Sequence, residues 1–369
     1  MRSNIFNVII QPMADIAQQI EEIEAILRKT PHHKATNGFI GAMRAKIARL
    51  KDKEVEVSSH GKGGGAGGYS VKKQGDATIV LIGPPSAGKS TLINLLTNAE
   101  SKVAAYAFTT VSVIPGMLKY RDGYIQILDV PGLIEGASIG KGRGKEVLSV
   151  ARGSDLLLIM TDPERLNFFD KILLELEGAG IRINKKKPSV RVEKELAGGL
   201  TIVSNIKQDY PLDDVKDIAK EFGIKNGRLI LKEKVTMDEI IDSLSERIVY
   251  KNAIFVVNKS DQIVEKNRYE DLVYISADKV LGIEELKEII WSELKLVTVY
   301  LVERNEKPGT ENPVIMNEND TLEDVARSIG SEFLGSTTLA KIWGNGAKFD
   351  GQEMPLSTKV INGMQIRFV

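Results

Sequence analysis

Two apolar stripes with helical spacing lie near the start of the chain. Members of each stripe are three or four residues apart, and together they are Ile16, Ile20, Ile23, Leu27, Ile40, Met43, Ile47 and Leu50. This spacing places each set on one face of a helix. Thr30-Pro31 interrupts the pattern between them, so residues 1–60 are predicted to form a helical hairpin.

Short apolar runs rich in β-branched residues alternate with amphipathic patterns in the middle of the chain. The apolar runs are 78–82, 125–128, 155–160 and 253–257, and the helical patterns are 89–97, 144–151 and 165–178. Continuous apolar runs of this length are typical of strands that are buried on both faces. The alternation predicts an α/β fold with a doubly wound, mostly parallel sheet and helices on both faces.

Two further segments differ in composition from this α/β region. Glycine dominates residues 61–68, and because such a run cannot hold a helix, residues 61–75 are predicted to be a glycine-rich hinge. The last part of the chain, 296–369, has short strand patterns and a helix that opens with Thr321-Leu-Glu-Asp, which indicates a compact α+β domain. The α/β domain is then expected over residues 76–295.

The α/β domain is longer than its fold requires. Asp129 and Asn258 both follow predicted strands and are 129 residues apart, whereas a helix, a strand and another helix need roughly 50–60 residues. The surplus of about 70 residues predicts an inserted α/β domain at about 180–248. Its first part is a basic stretch that includes one acid, Glu193; the basic residues are Arg182, Lys185, Lys186, Lys187, Arg191 and Lys194. Such a stretch either promotes solubility or contacts RNA phosphates, and the sequence favours neither interpretation.

Composition limits the chemistry that the chain can perform. Lys plus Arg and Asp plus Glu each number 50, so the net charge is zero and any attraction to nucleic acid requires local patches. One patch, 28–62, has nine basic residues and three acids, which favours a solvated helix face over an RNA-facing surface.

Cysteine is absent and the histidines are His32, His33 and His60, which excludes thiolate nucleophiles and, beyond residue 60, Ser-His-Asp triads. No apolar run approaches the roughly 18 residues of a membrane span and no signal-peptide pattern is present, so we expect a cytoplasmic protein without membrane contact.

The first apolar run leads directly into Gly83-Pro-Pro-Ser-Ala-Gly-Lys-Ser90 and then into a helical pattern. This order of strand, glycine-rich loop and helix fits the phosphate-binding loop G-x-x-x-x-G-K-[ST], in which backbone N–H groups surround a phosphate chain. Lys89 is expected to reach the β- and γ-phosphates, and the Ser90 hydroxyl to bind Mg²⁺. The predicted nucleotide contacts in this segment are Gly83, Pro84, Pro85, Ser86, Ala87, Gly88, Lys89, Ser90 and Thr91.

Two other segments are predicted to act at the phosphates. In Asp129-Val-Pro-Gly132, Asp129 would hold Mg²⁺ through water and the Gly132 N–H would contact a γ-phosphate, although the pattern alone is usually only a turn. Between the two motifs lies Tyr106-Ala-Phe-Thr109-Thr110. Thr110 would complete the Mg²⁺ shell only when a γ-phosphate is present, which predicts a switch segment.

A fourth motif, Asn258-Lys259-Ser260-Asp261, follows the last apolar run and is suited to a purine base. The Asp261 carboxylate can accept hydrogen bonds from N1–H and the 2-amino group of guanine, whereas adenine offers neither donor and would leave the carboxylate unpaired. Asn258 is expected to brace the loop, and the Lys259 stem to cover the base. Backbone N–H groups at Ser276 and Ala277 are expected to contact guanine O6.

The ordered motifs GPPSAGKS, FTT, DVPG, NKSD and ISA resemble those of translation-factor-class GTPases. More closely, the whole chain resembles the developmentally regulated GTP-binding proteins, relatives of the Obg family; further matches are the glycine run, KATNGFIGAMRAKIARL at 34–50, LEGAGIRIN at 176–184 and KIWGNGAKFDG at 341–351. The resemblance implies a P-loop GTPase domain with a helical hairpin, an insert and a C-terminal TGS domain of β-grasp type at 296–369. It also implies hydrolysis of GTP to GDP and phosphate with Mg²⁺, in a cytoplasmic switch that acts in translation through ribosome or RNA contact. Eukaryotic members bind dedicated stabilising partners, so a stimulating or stabilising protein partner is a further expectation.

One residue departs from the pattern of many GTPases. Leu133 occupies the position after Asp-x-x-Gly where glutamine orients the attacking water. Leucine cannot hydrogen-bond water, so we expect slow intrinsic hydrolysis with the missing role filled by Arg143 or Lys141, the backbone near Thr109–Thr110, a monovalent cation or a partner. Related enzymes that use potassium often have Asn where this chain has Ser86, so K⁺ is an open candidate beside Mg²⁺. The expected catalytic residues are Lys89, Thr110, Gly132 and Arg143.

Two other functions stay open. A nucleotide-dependent scaffold with negligible turnover, which mainly binds protein or RNA partners, would also fit Leu133. An ATPase is a weaker alternative, since one Obg relative has altered base specificity. The intact Asn-Lys-Ser-Asp motif argues against it.

Overall fold

The computed structural model describes residues 3–60, 74–97, 114–130, 143–262, 271–330 and 338–369. The helices are α1 (Ser3–Lys29), α2 (Asn37–His60), α3 (Lys89–Thr97), α4 (Arg143–Gly153), α5 (Phe168–Gly178), α6 (Leu212–Glu221), α7 (Met237–Leu244), α8 (Ile283–Glu293) and α9 (Leu322–Ile329). The strands are β1 (Ala77–Ile82), β2 (Ile114–Tyr120), β3 (Gly123–Asp129), β4 (Leu156–Thr161), β5 (Ile181–Ile183), β6 (Val190–Lys194), β7 (Leu200–Ser204), β8 (Gly227–Leu231), β9 (Val249–Val257), β10 (Val273–Tyr274), β11 (Leu296–Leu301), β12 (Pro313–Asn317), β13 (Leu339–Gly344), β14 (Gln352–Pro355) and β15 (Met364–Phe368). None of the helices in these ranges has both the length and the apolarity of a membrane span.

The chain divides into two compact units. The first unit contains residues 1–68 and 180–250, and the second contains residues 69–179 and 251–369. The predicted hinge residues 61–73 lie outside the described ranges.

The second unit is built on a central sheet with the strand order β10-β9-β4-β1-β3-β2. Neighbouring strands are parallel from β10 to β3, and β2 runs antiparallel to β3. Every residue of β1 and β4 is buried, as expected for parallel strands that are covered on both faces. The predicted α/β fold with a mostly parallel sheet is confirmed.

Helices α3 and α8 share a core with this sheet. Leu92 of α3 and Leu286 of α8 are fully buried in the same apolar cluster as Ile79, Leu81 and Ile127 of the strands. Because the strands are parallel, the carboxyl ends of β1, β3, β4 and β9 meet at one edge of the sheet. The polar residues that follow these strands are thereby brought together at that edge.

The C-terminal part of the second unit is a five-stranded sheet with the order β12-β11-β15-β13-β14. β11 and β15 are parallel, and the other neighbours are antiparallel. Helix α9 covers the sheet, with Val325 in the same core as Val299 and Ile342. The predicted cap is present: the Thr321 hydroxyl accepts from the Asp324 N–H, and the Asp324 carboxylate accepts from the Thr321 N–H at 2.9 Å.

The first unit combines the N-terminal helices with the inserted residues. Its sheet has the order β6-β8-β7, and Ala45 of α2 is fully buried in the apolar cluster formed by this sheet with α6 and α7. Arg44 adds two hydrogen bonds to the Asp238 carboxylate, at 3.0 and 2.9 Å. The Gly180 carbonyl accepts from the Val249 N–H at 2.9 Å, so the two ends of the insert lie side by side.

Candidate nucleotide-binding site

The glycine-rich loop occupies the turn between the end of β1 at Ile82 and the start of α3 at Lys89. Both of its glycines are needed on steric grounds. A Cβ on Gly83 would lie 2.2 Å from the Met160 carbonyl oxygen. Gly88 has φ +90°, and a Cβ there would lie 2.2 Å from Nδ2 of Asn258. The loop therefore approaches its neighbours more closely than any side chain allows.

Five successive carbonyls of the loop accept hydrogen bonds from side chains. Lys89 Nζ donates to Gly83 at 3.0 Å and to Pro84 at 3.1 Å. The next three carbonyls are bound by residues that follow β4 and β9. The contacts are Arg165 Nη1 to Pro85 at 2.9 Å, Lys259 Nζ to Ser86 at 3.0 Å and Asn258 Nδ2 to Ala87 at 2.9 Å.

These contacts fix the direction of the loop's N–H groups. The C=O and the N–H of a trans peptide point to opposite sides, and no described peptide is cis. Carbonyls held by Arg165 and Asn258 therefore turn the N–H groups of Ser86 and Gly88 toward the opposite side of the loop. Together with the positive end of α3, that side is suited to an anion such as a phosphate chain.

Ser90 and Asp129 form an oxygen-lined position beside Lys89. Ser90 Oγ donates to Asp129 Oδ2 at 3.4 Å, and Oδ1 of Asp129 is buried without a hydrogen-bond partner among the described residues. Burial raises the pKa of the Asp129 carboxyl, while Lys89 and Ser90 act in the opposite direction. Burial likewise lowers the pKa of Lys89, and the Asp129 charge partly offsets it.

A hydroxyl and a carboxylate oxygen that has no partner among the described residues fit Mg²⁺, which prefers oxygen ligands. Within the described ranges no group of three His, Asp or Glu side chains could hold a metal ion. Ser90 and Asp129 would therefore depend on phosphate oxygens and water to complete the coordination of Mg²⁺.

The Asn258 side chain links the end of β9 to two loops. It is only 3% exposed, and its Oδ1 accepts from the Ala277 N–H at 2.9 Å while its Nδ2 binds Ala87. The Ser276 N–H is also paired, with the Leu281 carbonyl at 3.0 Å. A base at this loop would have to share the Ala277 N–H with Asn258 or bind elsewhere in the segment.

Asp261 lies in a short 3-10 turn, Ser260–Gln262, and its side chain is exposed. Lys259, one residue before this turn, has the left-handed φ of +59° and directs Nζ to the Ser86 carbonyl. The segment 258–261, which is predicted to bind the base and is called the base-binding segment below, thus contacts the glycine-rich loop directly through Lys259 and Asn258.

Several predicted residues lie outside the part of the chain that the structure describes. Thr110 and Gly132 are among them, together with Leu133. Arg143 is the first residue of α4, but its side chain is not part of the described structure. The interpretation of these residues stays a prediction.

The sequence did not single out Asp162 and Arg165, which follow β4. Arg165 donates from Nε to both Asp162 carboxylate oxygens at 3.1 Å and from Nη1 to the Pro85 carbonyl. The available signal was the position of Asp162, an acid directly after a buried apolar run, like Asp129 after β3.

The basic stretch of the insert is partly neutralised in three dimensions. Arg182 binds the Asp242 carboxylate with two hydrogen bonds, and Lys186 binds Glu233 at 2.6 Å. Arg191 lies 3.2 Å from Glu193, the one acid in the stretch. The folded surface here is therefore less positive than the linear sequence indicates.

Comparison with known proteins adds family information. Residues 78–194 match a family described as "50S ribosome-binding GTPase", and residues 197–296 match the C-terminal region of that domain. An uncharacterised GTP-binding protein of Methanocaldococcus jannaschii is 38% identical over 98% of this chain and 94% of its own length. Developmentally-regulated G-protein 3 of Arabidopsis thaliana is 38% identical over 93% of this chain and 95% of its own length. Among solved structures, the YchF GTPase of Schizosaccharomyces pombe covers 81% of this chain and 99% of its own, with 14% identity and a TM-score of 0.43.

Proposed function

Because the chain belongs to the family of developmentally regulated GTP-binding proteins, GTPases related to Obg, we propose that it binds GTP at the carboxyl edge of the central sheet and hydrolyses it to GDP and phosphate. The observation that carries the proposal is the set of side chains that hold the five carbonyls of residues 83–87. The carbonyls of Gly83 and Pro84 precede prolines and share no peptide with an N–H. Arg165 and Asn258 hold the carbonyls of Pro85 and Ala87, so the Ser86 and Gly88 N–H groups are oriented toward a phosphate chain before it binds.

Each described residue at the phosphates has a defined role in this proposal. Lys89 would place its ammonium between the β- and γ-phosphates, where it compensates charge that develops during phosphoryl transfer. Ser90 and Asp129 would hold Mg²⁺, which supplies positive charge to the phosphate oxygens when bound. The N–H groups of Ser86 and of residues 88–91 would bind the remaining phosphate oxygens; the Ala87 N–H donates to the Pro84 carbonyl at 3.4 Å.

Specificity for guanine would come from Asp261. Its carboxylate is exposed next to the Asn258 and Lys259 contacts to the loop, so it is accessible to a purine. Two donors of guanine, N1–H and the 2-amino group, match the two carboxylate oxygens. Lys259 would cover one face of the base, and the backbone at Ser276 and Ala277 would border its O6.

The hydrolysis step would depend on Thr110, Gly132 and a group that takes the role of the glutamine that many GTPases have where this chain has Leu133. Leucine cannot position water, so slow intrinsic turnover is expected. The candidates for the missing role are the backbone near Thr109–Thr110, Arg143 or Lys141, a monovalent cation such as K⁺, or a group from a partner. A missing positive group at the transition state costs several kcal/mol in comparable enzymes. Stimulation by a protein partner or by the ribosome would then be large.

The proposed cellular role is a cytoplasmic switch in translation that contacts the ribosome or RNA. Support comes from the matched family, which is described as ribosome-binding, and from the appended parts. These are the helical hairpin at 1–60, the hinge at 61–75, the insert at about 180–248 within the GTPase domain 76–295, and a TGS domain at 296–369. The pairing of Arg182, Lys186 and Arg191 with acids weakens the case for the basic stretch of the insert as the RNA-contacting part.

Calorimetry of the full chain with Mg²⁺ tests nucleotide binding directly. We expect heat on addition of GDP and of a non-hydrolysable GTP analogue, and loss of that heat in Lys89→Ala. Absence of heat in the wild-type protein would overturn the proposal. Sedimentation with ribosomes in both nucleotide states tests the translational role, which fails if the protein stays out of the ribosomal fractions in both.

The second candidate function is a nucleotide-dependent scaffold with negligible turnover, and Leu133 is the residue that favours it. Phosphate release measured with ribosomes at several K⁺ concentrations separates the two functions. Robust turnover under any of these conditions excludes the scaffold. Binding without turnover under all of them excludes the enzyme.

A further inference from the structure

The carboxylate of Asp162 lies between two cations that hold adjacent parts of the phosphate-binding loop. It accepts two hydrogen bonds from Arg165 Nε at 3.1 Å, and its Oδ2 lies 3.8 Å from Lys259 Nζ. Asp162 is only 5% exposed, and it follows β4, the strand between those that lead into the phosphate-binding loop and the base-binding segment. One buried carboxylate thus contacts both Arg165 and Lys259, and each of these cations binds a carbonyl of the glycine-rich loop.

The two cations hold the peptides on either side of Ser86. Arg165 Nη1 donates to the Pro85 carbonyl, and Lys259 Nζ donates to the Ser86 carbonyl. Ser86 itself has a φ of +62°, a left-handed conformation that residues other than glycine rarely adopt. Such a conformation persists only where the surroundings fix it, and here both flanking carbonyls are fixed from outside.

The position of Arg165 is itself fixed on several sides. Its carbonyl accepts from Thr161 Oγ1 at 3.1 Å, and its N–H donates to the Asp162 carbonyl at 3.1 Å. The Arg165 hydrogen bonds hold the pKa of the Asp162 carboxyl below its ordinary value, while burial acts against them. The planar guanidinium can bind a carboxylate and a carbonyl at the same time, which a lysine ammonium does with poorer geometry.

We propose that Asp162 and Arg165 are positioning residues of the nucleotide site: Asp162 orients Arg165, and Arg165 holds the Pro85 carbonyl so that the Ser86 N–H faces the phosphates. The inference rests on the proposed function, because it names two further residues that shape the same site. In this proposal both residues act without contacting the nucleotide. Their effect reaches the ligand through the loop, so it weakens GDP and GTP to the same extent.

The experiment measures the dissociation constants of GDP and a GTP analogue for R165A, R165K, D162N and the double variant D162N/R165A. Loss of a hydrogen bond from a charged donor raises both constants roughly ten- to a hundredfold in R165A. R165K recovers part of this loss. In steady-state turnover, R165A raises KM while kcat stays within about twofold, because the lost interaction is common to ground state and transition state.

The double variant shows whether Asp162 acts on binding through Arg165 or independently of it. If Asp162 acts through Arg165, D162N weakens GDP binding much less in the R165A background than in the wild type. R327A is the matched control, because Arg327 is also a paired arginine, bound to Glu323 and Asp324 on α9, and is expected to leave binding unchanged. Urea unfolding of each nucleotide-free variant shows whether the fold is retained.

Unchanged GDP affinity in R165A, or effects of D162N and R165A that multiply, would overturn the inference. A loss of affinity that appears only together with unfolding of the nucleotide-free protein would also overturn it, in favour of a purely structural role. Failure of the wild-type protein to bind GDP would instead overturn the proposed function. The two failures are therefore distinguishable.

Discussion

The side-chain amide of Asn258 donates to the carbonyl of Ala87 at 2.9 Å. This hydrogen bond spans 171 residues of sequence and joins the end of β9 to the loop after β1. The Oδ1 of the same amide accepts from the Ala277 N–H, so a single buried side chain satisfies one acceptor and one donor on two different loops. Asn258 therefore links the glycine-rich loop to the segment at Ala277 through two hydrogen bonds.

Asn258→Ala should therefore weaken nucleotide binding and destabilise the second unit together. It leaves the Ala87 carbonyl and the Ala277 N–H without their partner in a buried place, which costs about 1–3 kcal/mol per group. We expect GDP affinity to fall at least tenfold and the urea midpoint to decrease, as followed by the fluorescence of Trp291. Asn167→Ala is the control, since Asn167 is exposed and its side chain makes no cap hydrogen bond. Equal stability of Asn258→Ala and Asn167→Ala would contradict the bridging role.

Gly88→Ala should abolish nucleotide binding for a different reason. A methyl group at φ +90° is strained by roughly 1–2 kcal/mol, and it would lie 2.2 Å from Asn258 Nδ2. Asn258 would have to move away from Ala87, so the loop and its brace are lost together. The matched control is Gly153→Ala, because a Cβ there meets nothing within 4 Å. Calorimetric titration with GDP should show no heat for Gly88→Ala and wild-type heat for Gly153→Ala; the reverse order, or equal heats, would refute the steric argument.

The sequence predicted the parts of the fold in which hydrophobic patterning is continuous. β1, β4 and α3 match the predicted segments closely, because strands buried on both faces and one-sided helices leave clear periodicities. β2 was missed, since Pro115 and Gly116 interrupt its pattern. Proline is tolerated there because β2 lies at the end of the sheet order.

The sequence singled out residues of the candidate site where they belong to a short recognisable motif. Lys89 and Asn258 carry this information in short sequence patterns. Arg165 does not, because it lies outside these motifs and its contact with Pro85 depends on the order of β1 and β4 in the sheet. The pairing of Arg182 with Asp242, 60 residues apart, was hidden in the same way. Local patterns identify such residues only after the topology is known.

Asp129→Asn should remove the response of the site to magnesium without destabilising the nucleotide-free protein. The substitution keeps the shape of the side chain and removes a buried negative charge whose Oδ1 has no partner among the described residues. Affinity for a GTP analogue should increase with Mg²⁺ concentration in the wild type and stay flat in the variant. Chelation of Mg²⁺ with EDTA should lower the affinity of the wild type to that of the variant. This comparison is the internal control. A variant that still gains affinity with Mg²⁺ would exclude Asp129 from the metal site.

Asp261→Asn should change which base is preferred. The asparagine amide offers one donor and one acceptor, which suits xanthine, where a 2-oxo group replaces the 2-amino donor of guanine. We expect a loss of GTP affinity of at least a hundredfold and a gain for xanthosine triphosphate, measured by competition against a fluorescent nucleotide. Asp278→Asn, an exposed carboxylate on the neighbouring segment, is the control and should keep guanine preference. Unchanged guanine preference in Asp261→Asn would refute the assignment of Asp261 as the residue that selects guanine.

The difference in unfolding free energy between wild type and Asp162→Asn should become smaller as the pH falls. Hydrogen bonds from Arg165 hold the pKa of Asp162 below its ordinary value in the folded protein, Lys259 acts in the same direction, and burial opposes both. At pH values between the pKa of the folded and that of the unfolded chain, the unfolded chain binds more protons. The ionised carboxylate therefore stabilises the fold above about pH 4, and this contribution is lost as the pH falls further. The variant should therefore be less stable than wild type by a constant amount from pH 6 to 8, with the gap closing below about pH 4. Urea unfolding of nucleotide-free protein, followed by tryptophan fluorescence, measures it, with Asp350→Asn at an exposed carboxylate as the control. A gap that widens in acid would mean that Asp162 is held protonated rather than ion-paired, and the network around Pro85 would need a different explanation.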